Sequence, residues 1–304
     1  MIRKAAVLAI AALALASVPG CKTKQSSPPL AVINRPKPAY ADVAALVNAR
    51  AAKLNRVWAR AVTSFSWTDA EGTARSEQGE GFFQLVQPSK FALDIGKVGE
   101  IIIWAGCDDT RYWLIHRGDE KSASIGAHNG PGAGRLLEEG LPATPMDLIE
   151  LAGVTPLPTK DKPLSIGWVK GPDGTDLWSI ETARAGGSIR REIDPATGEP
   201  RRIVLRTKGR DSVEAILAGS VPVELNGTSD WPRMASRLTI TDLAGTSKVT
   251  IGLEGHNDGL RGRRPGNERL KPEVFNFDIL KDRLSVQHIE NLDAPAVTTP
   301  PIPR

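Results

Sequence analysis

The chain has 304 residues and a formal net charge of +4, from 39 lysine and arginine residues against 35 aspartate and glutamate residues. This near balance does not indicate a nucleic-acid-binding protein, although the calculated pI is 9.1. The two cysteines, Cys21 and Cys107, are too few for a disulfide framework or a zinc site of four cysteines. The length is sufficient for one large β domain or two small domains.

The first 20 residues are typical of a secretory signal peptide. Arg3 and Lys4 precede an apolar run, residues 5–18, that contains no charged side chain. This run of 14 residues is shorter than the roughly 20 that a membrane-spanning helix needs. We therefore expect residues 1–20 to be a signal peptide and not a permanent transmembrane anchor.

The end of this segment resembles a bacterial lipobox, because the small residue Gly20 stands directly before Cys21. In a lipobox the cysteine thiol is acylated and the cysteine becomes the new N-terminus. We therefore predict lipid attachment at Cys21, with a plain secreted protein as the alternative. In some lipoproteins an aspartate directly after the acylated cysteine keeps the protein at the inner membrane. Lys22 occupies that position here, so we predict that the protein is located at the periplasmic face of the outer membrane.

Two polar, proline-rich segments flank the rest of the chain, at 21–41 and 294–304. Segments of this composition bury too little apolar area to offset the entropy lost on ordering. We therefore predict a flexible tether at 21–41, one folded domain at 42–293 and a proline-rich tail at 294–304.

Two helices are predicted within the folded domain. From Asp42, placed as an N-cap, apolar residues recur at helical spacings as far as Leu54. A second, short helix is indicated at 144–152, where Thr144 suits the N-cap, Pro145 the first helical position and Gly153 a left-handed stop.

From about residue 60 the apolar pattern changes to a period of two, with turn residues at short intervals. The turn at 171–174 lies between two apolar segments and predicts a hairpin. The glycine-rich stretch 118–134 is interpreted as a long loop. Most of the dozen or so candidate strands follow one another without a helix between them, which predicts an antiparallel meander or an open barrel.

Several of these strands resemble those of the LolA/LolB superfamily of lipoprotein carriers. Residues 81–94 (GFFQLVQPSKFALD) are similar to the G-x-F strand and P-x-K-F turn of that family. Residues 99–113 are similar to its next strand, turn and aromatic strand, and its later hairpins are matched at 190–217 and 237–277. The resemblance covers residues 42–290 and implies a mainly β (α+β) fold, an open antiparallel half-barrel of about 11–12 strands with plug helices.

The resemblance also implies a function. Such a half-barrel encloses an apolar cavity for acyl chains, and LolB-like members are themselves lipoproteins that receive cargo at the outer membrane. We therefore expect a membrane-anchored lipoprotein that binds acyl chains of lipoproteins or other lipids for sorting to the outer membrane, with a periplasmic carrier protein as a partner. The alternative is a sensory or structural lipoprotein of the RseB type, which uses the same fold to bind a protein partner.

Eight apolar residues on successive strands are candidates for lining this cavity, because they supply more apolar surface than one short helix covers. They are Phe83, Leu85, Phe91, Leu93, Ile101, Ile103, Trp113 and Leu114. The family resemblance further implies an apolar residue at the tip of an early hairpin. Val98 stands near that place, with an ordinary turn valine as the alternative.

Catalytic and metal-binding motifs are not found. The four histidines are scattered, and neither H-E-x-x-H nor G-x-S-x-G occurs, so we expect no enzyme activity, no cofactor and no metal site. Cys107 is expected to be a buried or turn thiol, because no histidine stands at a recognisable partner spacing. The arginines at 190–206 alternate with acidic residues, which fits either a solvated sheet face or contact with anionic lipid head groups.

Overall fold

A computed structural model describes residues 31–68, 72–117, 121–138, 141–243, 245, 247–254, 264–267 and 269–295. The predicted signal peptide, Cys21, the first part of the tether and nearly all of the proline-rich tail lie outside the described residues.

The first half of the described chain is a helix, six strands and two short helices. Helix α1 spans Tyr40–Lys53. The strands are β1 (Arg56–Thr68), β2 (Ala74–Val86), β3 (Lys90–Lys97), β4 (Glu100–Cys107), β5 (Arg111–Arg117) and β6 (Lys121–Ala127). The short helices are α2 (Ala133–Glu138) and α3 (Pro145–Leu151).

The second half is again dominated by strands. They are β7 (Ser165–Lys170), β8 (Asp176–Arg184), β9 (Gly187–Ile193), β10 (Pro200–Thr207), β11 (Arg210–Ala218), β12 (Val221–Pro222), β13 (Arg233–Met234), β14 (Arg237–Asp242) and β15 (Lys248–Glu254). A 3₁₀ helix (Pro272–Phe275), helix α4 (Phe277–Arg283) and strand β16 (His288–Asn291) follow.

One large sheet organises the described part of the chain. It has 14 strands in the order β16-β6-β5-β4-β3-β2-β1-β15-β14-β11-β10-β9-β8-β7. Strands β1 to β6 form one antiparallel meander, and β7 to β11 with β14 and β15 form a second. The pairing of β1 with β15 joins them. The sheet stays open between β16 and β7, so the predicted mainly β, open fold is confirmed, with more strands than the 11–12 expected.

The end of the predicted tether lies along the open edge formed by β7. Val32 pairs with Val169, and the Ile33 N–H donates to the Trp168 carbonyl oxygen at 3.1 Å. The Arg35 guanidinium lies over the Trp168 ring, 4.0 Å from its centroid. Residues 31–35 are therefore placed against the domain in this structure.

The sheet buries apolar side chains on its two faces. We call the face that carries Phe83 and Leu205 the plug face, because α3 packs against it, and the opposite face, which carries Trp104 and Trp113, the back face. Helix α1 also lies on the plug face, over β8 and β9. The 3₁₀ helix and α4 cover the back face over β3 to β6.

The two predicted helices have different starts. Helix α1 begins at Tyr40 with Ala39 as its N-cap, so the assignment of Asp42 as N-cap is wrong and Asp42 lies in the first turn. A carboxylate there is still favourable, because it faces the unpaired N–H groups and the positive end of the helix dipole. At α3 the N-cap Thr144 is confirmed, with a reciprocal capping box to Asp147, and Gly153 has the expected positive φ of 70°.

The interpretation of residues 118–134 as a loop is wrong, because β6 and the start of α2 lie there. The strand is rich in serine, alanine and glycine, which are weak sequence signals for a strand. These small residues are needed because β5 beside it carries large rings. A side chain at Gly126 would overlap the Tyr112 ring.

Candidate functional site

Six of the eight candidate lining residues come together on the plug face. They are Phe83, Leu85, Phe91, Leu93, Ile103 and Leu114, and Ile103 is the one that is only partly buried. Phe83 is directly opposite Leu93 and Leu85 is opposite Phe91 across the β2–β3 pair. The rings of Phe83 and Phe91 meet edge to face, with centroids 5.4 Å apart.

The other two candidates, Ile101 and Trp113, lie on the back face. Trp113 precedes Leu114 in the same strand, and successive side chains of a strand point to opposite faces. Ile101 is displaced by a bulge, since the β3–β4 register shifts between Ile95 and Gly96. The bulge places Ile102 and Ile103 on the plug face and Ile101 on the back face, which strict alternation from the sequence did not predict.

Helix α3 covers this group of side chains. It packs over β3, β4 and β5, and its buried residues Leu148, Ile149 and Leu151 belong to the same apolar cluster as Phe83 and Leu114. The cluster continues along the plug face as far as β9 and includes Ile189. One short helix therefore closes one end of a continuous apolar surface.

Ion pairs hold the polar side of α3 to the second meander. Glu150 accepts a hydrogen bond from Arg191 of β9, and Asp147 accepts one from Arg184 of β8, each at 2.5 Å. Arg191 is buried, and it also donates to the Thr182 hydroxyl at 3.2 Å. The helix thus packs on the first meander while its charges bind the second.

The C-terminal end of α3 is tied to α1 by hydrogen bonds to backbone carbonyls. Arg50 donates to the Gly153 oxygen at 2.8 Å, and Gln87 donates to the Val154 oxygen at 2.8 Å and the Leu54 oxygen at 3.1 Å. Burial lowers the pKa of Arg50 to about 10, although Glu199 opposes this shift. The side chain therefore remains charged at neutral pH. These bonds were missed from sequence, since they join residues far apart in the chain.

Val98 occupies the two-residue turn between β3 and β4, where its side chain is fully exposed. Its φ is +51°, and Gly99 follows at +84°. The left-handed region costs an L-residue roughly 1–2 kcal/mol, and a β-branched residue is rare there. An apolar, strained and exposed side chain thus lies at the tip of this hairpin.

Cys107 has the environment of an inert thiol. It is buried on the plug face, and its Sγ–H donates to the Ser89 carbonyl oxygen at 3.2 Å. Burial raises the pKa of the Cys107 thiol far above its usual value, so the reactive thiolate is disfavoured. Within the described ranges, no group of three or more histidine, cysteine, aspartate or glutamate residues is placed to hold a metal ion.

The arginines at 190–206 are paired with carboxylates. The pairs are Arg190 with Asp211, Arg191 with Glu150, Arg201 with Asp194, Arg202 with Glu192 and Glu214, and Arg206 with Glu181 and Asp211. This internal pairing favours a structural role on the sheet over contact with lipid head groups. None of the helices in the described part of the chain is long and apolar enough to cross a bilayer.

Comparisons with known proteins give similarities of structure alone. No family model matches the sequence, and no curated protein matches it. Among solved structures, a LolA superfamily protein from Nitrosomonas europaea is 10% identical, with a TM-score of 0.47, 77% of this chain covered and 98% of that chain. A DUF1329 family protein from Desulfovibrio piger is 12% identical, with a TM-score of 0.44 and coverage of 83% and 100%.

A third similar structure is an outer membrane lipoprotein-sorting protein domain from Vibrio parahaemolyticus. It is 11% identical, with a TM-score of 0.41, and the match covers 78% of this chain and 97% of that chain.

Proposed function

We propose that this protein is a lipoprotein, anchored through Cys21 to the periplasmic face of the outer membrane, that binds acyl chains of lipoproteins or other lipids on its plug face. In this proposal α3 is the movable cover of the binding surface. One observation supports this proposal above all. Helix α3 has only seven residues, covers one end of a continuous apolar cluster with its apolar side, and is held by ion pairs on its polar side.

The energetics of α3 support a cover that opens. A helix this short is not stable alone, so α3 depends on its contacts with the sheet. The side chain of Glu150 is 37% exposed, so solvent partly screens its ion pair with the buried Arg191. Unlike the long strands beneath it, α3 can therefore be displaced without loss of the sheet.

An acyl chain offers enough apolar surface to replace α3. Burial of a CH₂ group contributes about 0.8 kcal/mol, so about a dozen methylenes contribute on the order of 10 kcal/mol. Association and the displacement of α3 cost a similar amount. We therefore expect binding that is firm and still reversible, which suits a protein that receives cargo and releases it.

The hairpin tip supports a membrane-facing role. Val98 is fully exposed, and a backbone strain retained at an exposed apolar residue is typical of functional sites. We propose that Val98 contacts the bilayer when cargo is released.

Uptake of a fluorescent fatty acid tests the lining of the cavity. Ile103→Glu should abolish saturable uptake by the plug face, on which Ile103 lies, whereas Ile101→Glu should leave uptake by this face intact. The two residues make a matched pair, since each is partly buried and each lies on β4. Circular dichroism of the two variants checks that the sheet is retained.

A second pair of variants tests the cover. Glu150→Gln weakens the attachment of α3 to Arg191 and should speed uptake several-fold. Asp194→Asn weakens an arginine pair of the same kind, with Arg201 at 2.8 Å, that does not touch α3, and should leave the rate unchanged. Equal rates in the two variants would contradict the cover. Wild-type protein that shows no saturable uptake, after removal of its endogenous lipid, would contradict the acyl-binding function and favour the partner-binding alternative.

The anchor is tested separately by intact-mass measurement. The protein produced in a lipoprotein-processing bacterium should exceed the unmodified mature chain by the mass of its acyl groups, and Cys21→Ser should abolish this difference. Full solubility of the parent protein without detergent would contradict lipid attachment.

A further inference from the structure

A cavity lies on the back face, on the other side of the sheet from α3. It has a volume of about 480 Å³ and lies between β1–β4 and residues 269–283. Its apolar walls include the side chains of Trp58, Phe82 and Trp104. This volume is in the range of roughly 300–1,000 Å³ that is typical of small-molecule sites.

The cavity is accessible from solvent. Phe82, which lines the cavity, is 39% exposed, whereas Trp104 on the same face is 3% exposed. Phe82 and Ile101 also line a neighbouring groove of about 830 Å³, and this groove ends at the turn that carries Val98. The groove and the cavity are therefore adjacent, and Phe82, Asp94 and Ile101 line both.

The floor of the cavity contains buried polar atoms without hydrogen-bond partners. Gln84, Asp94 and Trp104 are each more than nine-tenths buried, and they line the cavity. Within the described residues, Gln84 Oε1, Asp94 Oδ1 and Trp104 Nε1 form no hydrogen bond. Buried polar atoms are usually hydrogen-bonded. Three such atoms without a partner therefore distinguish this part of the back face from an ordinary protein core.

The rim of the cavity is positively charged. Arg269, Lys271 and Arg283 line it, and Arg269 lies 5.2 Å from the centroid of the Trp58 ring. Lys271 and Arg283 form no ion pair with any described carboxylate, in contrast to the fully paired arginines at 190–206. Asp94 also lines the cavity; burial raises its pKa to about 6, and the charge of Arg283 opposes this shift.

We infer that this cavity binds a single-chain anionic amphiphile, with its apolar chain along Trp58 and Phe82 and its acid group at Lys271 and Arg283. The aromatic walls provide the apolar contact, and two cations without ion pairs provide charge complementarity for a carboxylate or a phosphate. The excess of cations at the rim disfavours a cationic amphiphile of the same length. This site lies on the opposite face of the sheet from the proposed plug-face site and does not depend on it.

Calorimetric titration of the delipidated full chain with dodecanoate separates the two faces. Ile101→Glu places a carboxylate beside the back-face cavity and should remove the back-face site, while Ile103→Glu should leave it intact. If the plug face also binds dodecanoate, Ile103→Glu removes that second site alone. A failure of the proposed plug-face function is therefore distinguishable from a failure of the back-face site.

The head group is tested with variants of the rim. The double variant Lys271→Gln/Arg283→Gln should weaken dodecanoate binding about tenfold or more, with little effect on binding of neutral dodecanol. Lys281→Gln is the matched control, because Lys281 is on the same segment and does not line the cavity. Dodecylamine should bind more weakly than dodecanoate to the parent protein, and monododecyl phosphate should bind comparably.

Two results would overturn the inference. One is full retention of dodecanoate affinity and stoichiometry in Ile101→Glu. The other is an equal change in affinity for the rim double variant and for Lys281→Gln, which would leave no role for the charges at the rim. The rim residues are on the surface, so the second comparison holds even if Ile101→Glu fails to fold.

Discussion

The back face of the single sheet is built in two different ways. Over β3 to β6, Trp104 and Trp113 are buried under Phe277 and Leu280 of α4. Over β9 to β11, alternation along the strands places Glu192, Arg202 and Glu214 on that same face, and these charged residues are only 2–6% exposed. Strand side chains can thus be buried by an apolar helix or by neighbouring charges of opposite sign.

The charged half is a ladder across three adjacent strands. Arg202 Nε lies 2.5 Å from Glu214 Oε1, and Arg202 Nη1 lies 3.1 Å from Glu192 Oε1. Burial raises the pKa of Glu192, and the charges of Arg202 and Arg190 oppose this shift. The apolar half needs a covering element, whereas the charged half pairs its side chains within the sheet, with Glu192 Oε2 left without a hydrogen bond among the described residues.

The largest effect is expected in the apolar half. Trp113→Ala should destabilise the protein by about 4–5 kcal/mol, because it removes a fully buried ring and leaves a cavity beneath α4. Denaturant unfolding measures the change. Ile279→Ala on the same helix, where the side chain is 45% exposed, should change stability by less than about 0.5 kcal/mol. A loss of stability in Trp113→Ala as small as that in Ile279→Ala would show that the packing of α4 on Trp113 is not an integral part of the core.

Breaking the ladder should be nearly as costly. Arg202→Met leaves Glu192 and Glu214 buried without their shared partner, and we expect a loss of about 3–4 kcal/mol. The loss should shrink as pH falls, because protonation removes the unpaired negative charges. Urea unfolding at several pH values measures this dependence.

The corresponding triple variant sharpens the comparison. Arg202→Met with Glu192→Leu and Glu214→Leu replaces the ladder by apolar side chains of similar size, and it should recover most of the lost stability. No recovery would mean that the charges determine the local strand pairing itself.

A buried carboxylate in the apolar half, Asp94, makes the stability of this half pH-dependent. Burial raises the pKa of Asp94 to about 6, above the value of about 3.9 in an unfolded chain. The stability that protonated Asp94 contributes to the folded state is therefore fully present below about pH 4 and is lost as pH rises through 6. Asp94→Asn should remove this dependence and gain about 2–3 kcal/mol relative to wild type above pH 7. If the difference in free energy of unfolding between Asp94→Asn and wild type is the same at pH 4 and at pH 8, the raised pKa of Asp94 is contradicted.

The smallest effect concerns two matching turns, one in each half. Val98–Gly99 and Lys208–Gly209 are two-residue hairpin turns with the same φ of 51° at their first residue. Val98→Gly and Lys208→Gly should each stabilise by up to about 1 kcal/mol, because relief of the left-handed strain exceeds the entropy cost of glycine. Thermal unfolding measures these gains.

Vesicle binding distinguishes the two turns. We expect Val98→Gly to weaken association with phospholipid vesicles, because it removes an exposed apolar side chain, and Lys208→Gly to have little effect on neutral vesicles. Equal vesicle binding by parent and Val98→Gly would support the interpretation of Val98 as an ordinary turn residue.

Local signals in the sequence predicted the elements whose structure is determined locally. Thr144, Pro145 and Gly153 define α3 within ten residues of one another, so its ends could be predicted. Helix α4 was missed, and residues up to 277 were assigned to hairpins, although Asn276 caps that helix by accepting from the Ile279 N–H. The spacing of Phe277, Leu280 and Leu284 after an asparagine was the available signal.

Features that depend on register could not be predicted. Ile101 changes face because of a one-residue bulge, and no residue type marks that bulge in the sequence. The pairing of Arg202 with Glu192 and Glu214 depends on which residues of three strands become neighbours. The back-face cavity joins β1–β4 to residues 269–283, which are distant in the chain.

The pairing of β1 with β15 has a consequence for the order of folding. Phe65 is paired with Val249, so one edge of β1 receives its partner only when nearly the whole chain is present. The first meander can form early from its local hairpins, but it then presents a 13-residue strand with an open edge. Such edges invite wrong pairing and aggregation, and non-local strand pairs form slowly. A chain shortened before β14 should therefore aggregate, although every strand of its first meander is present.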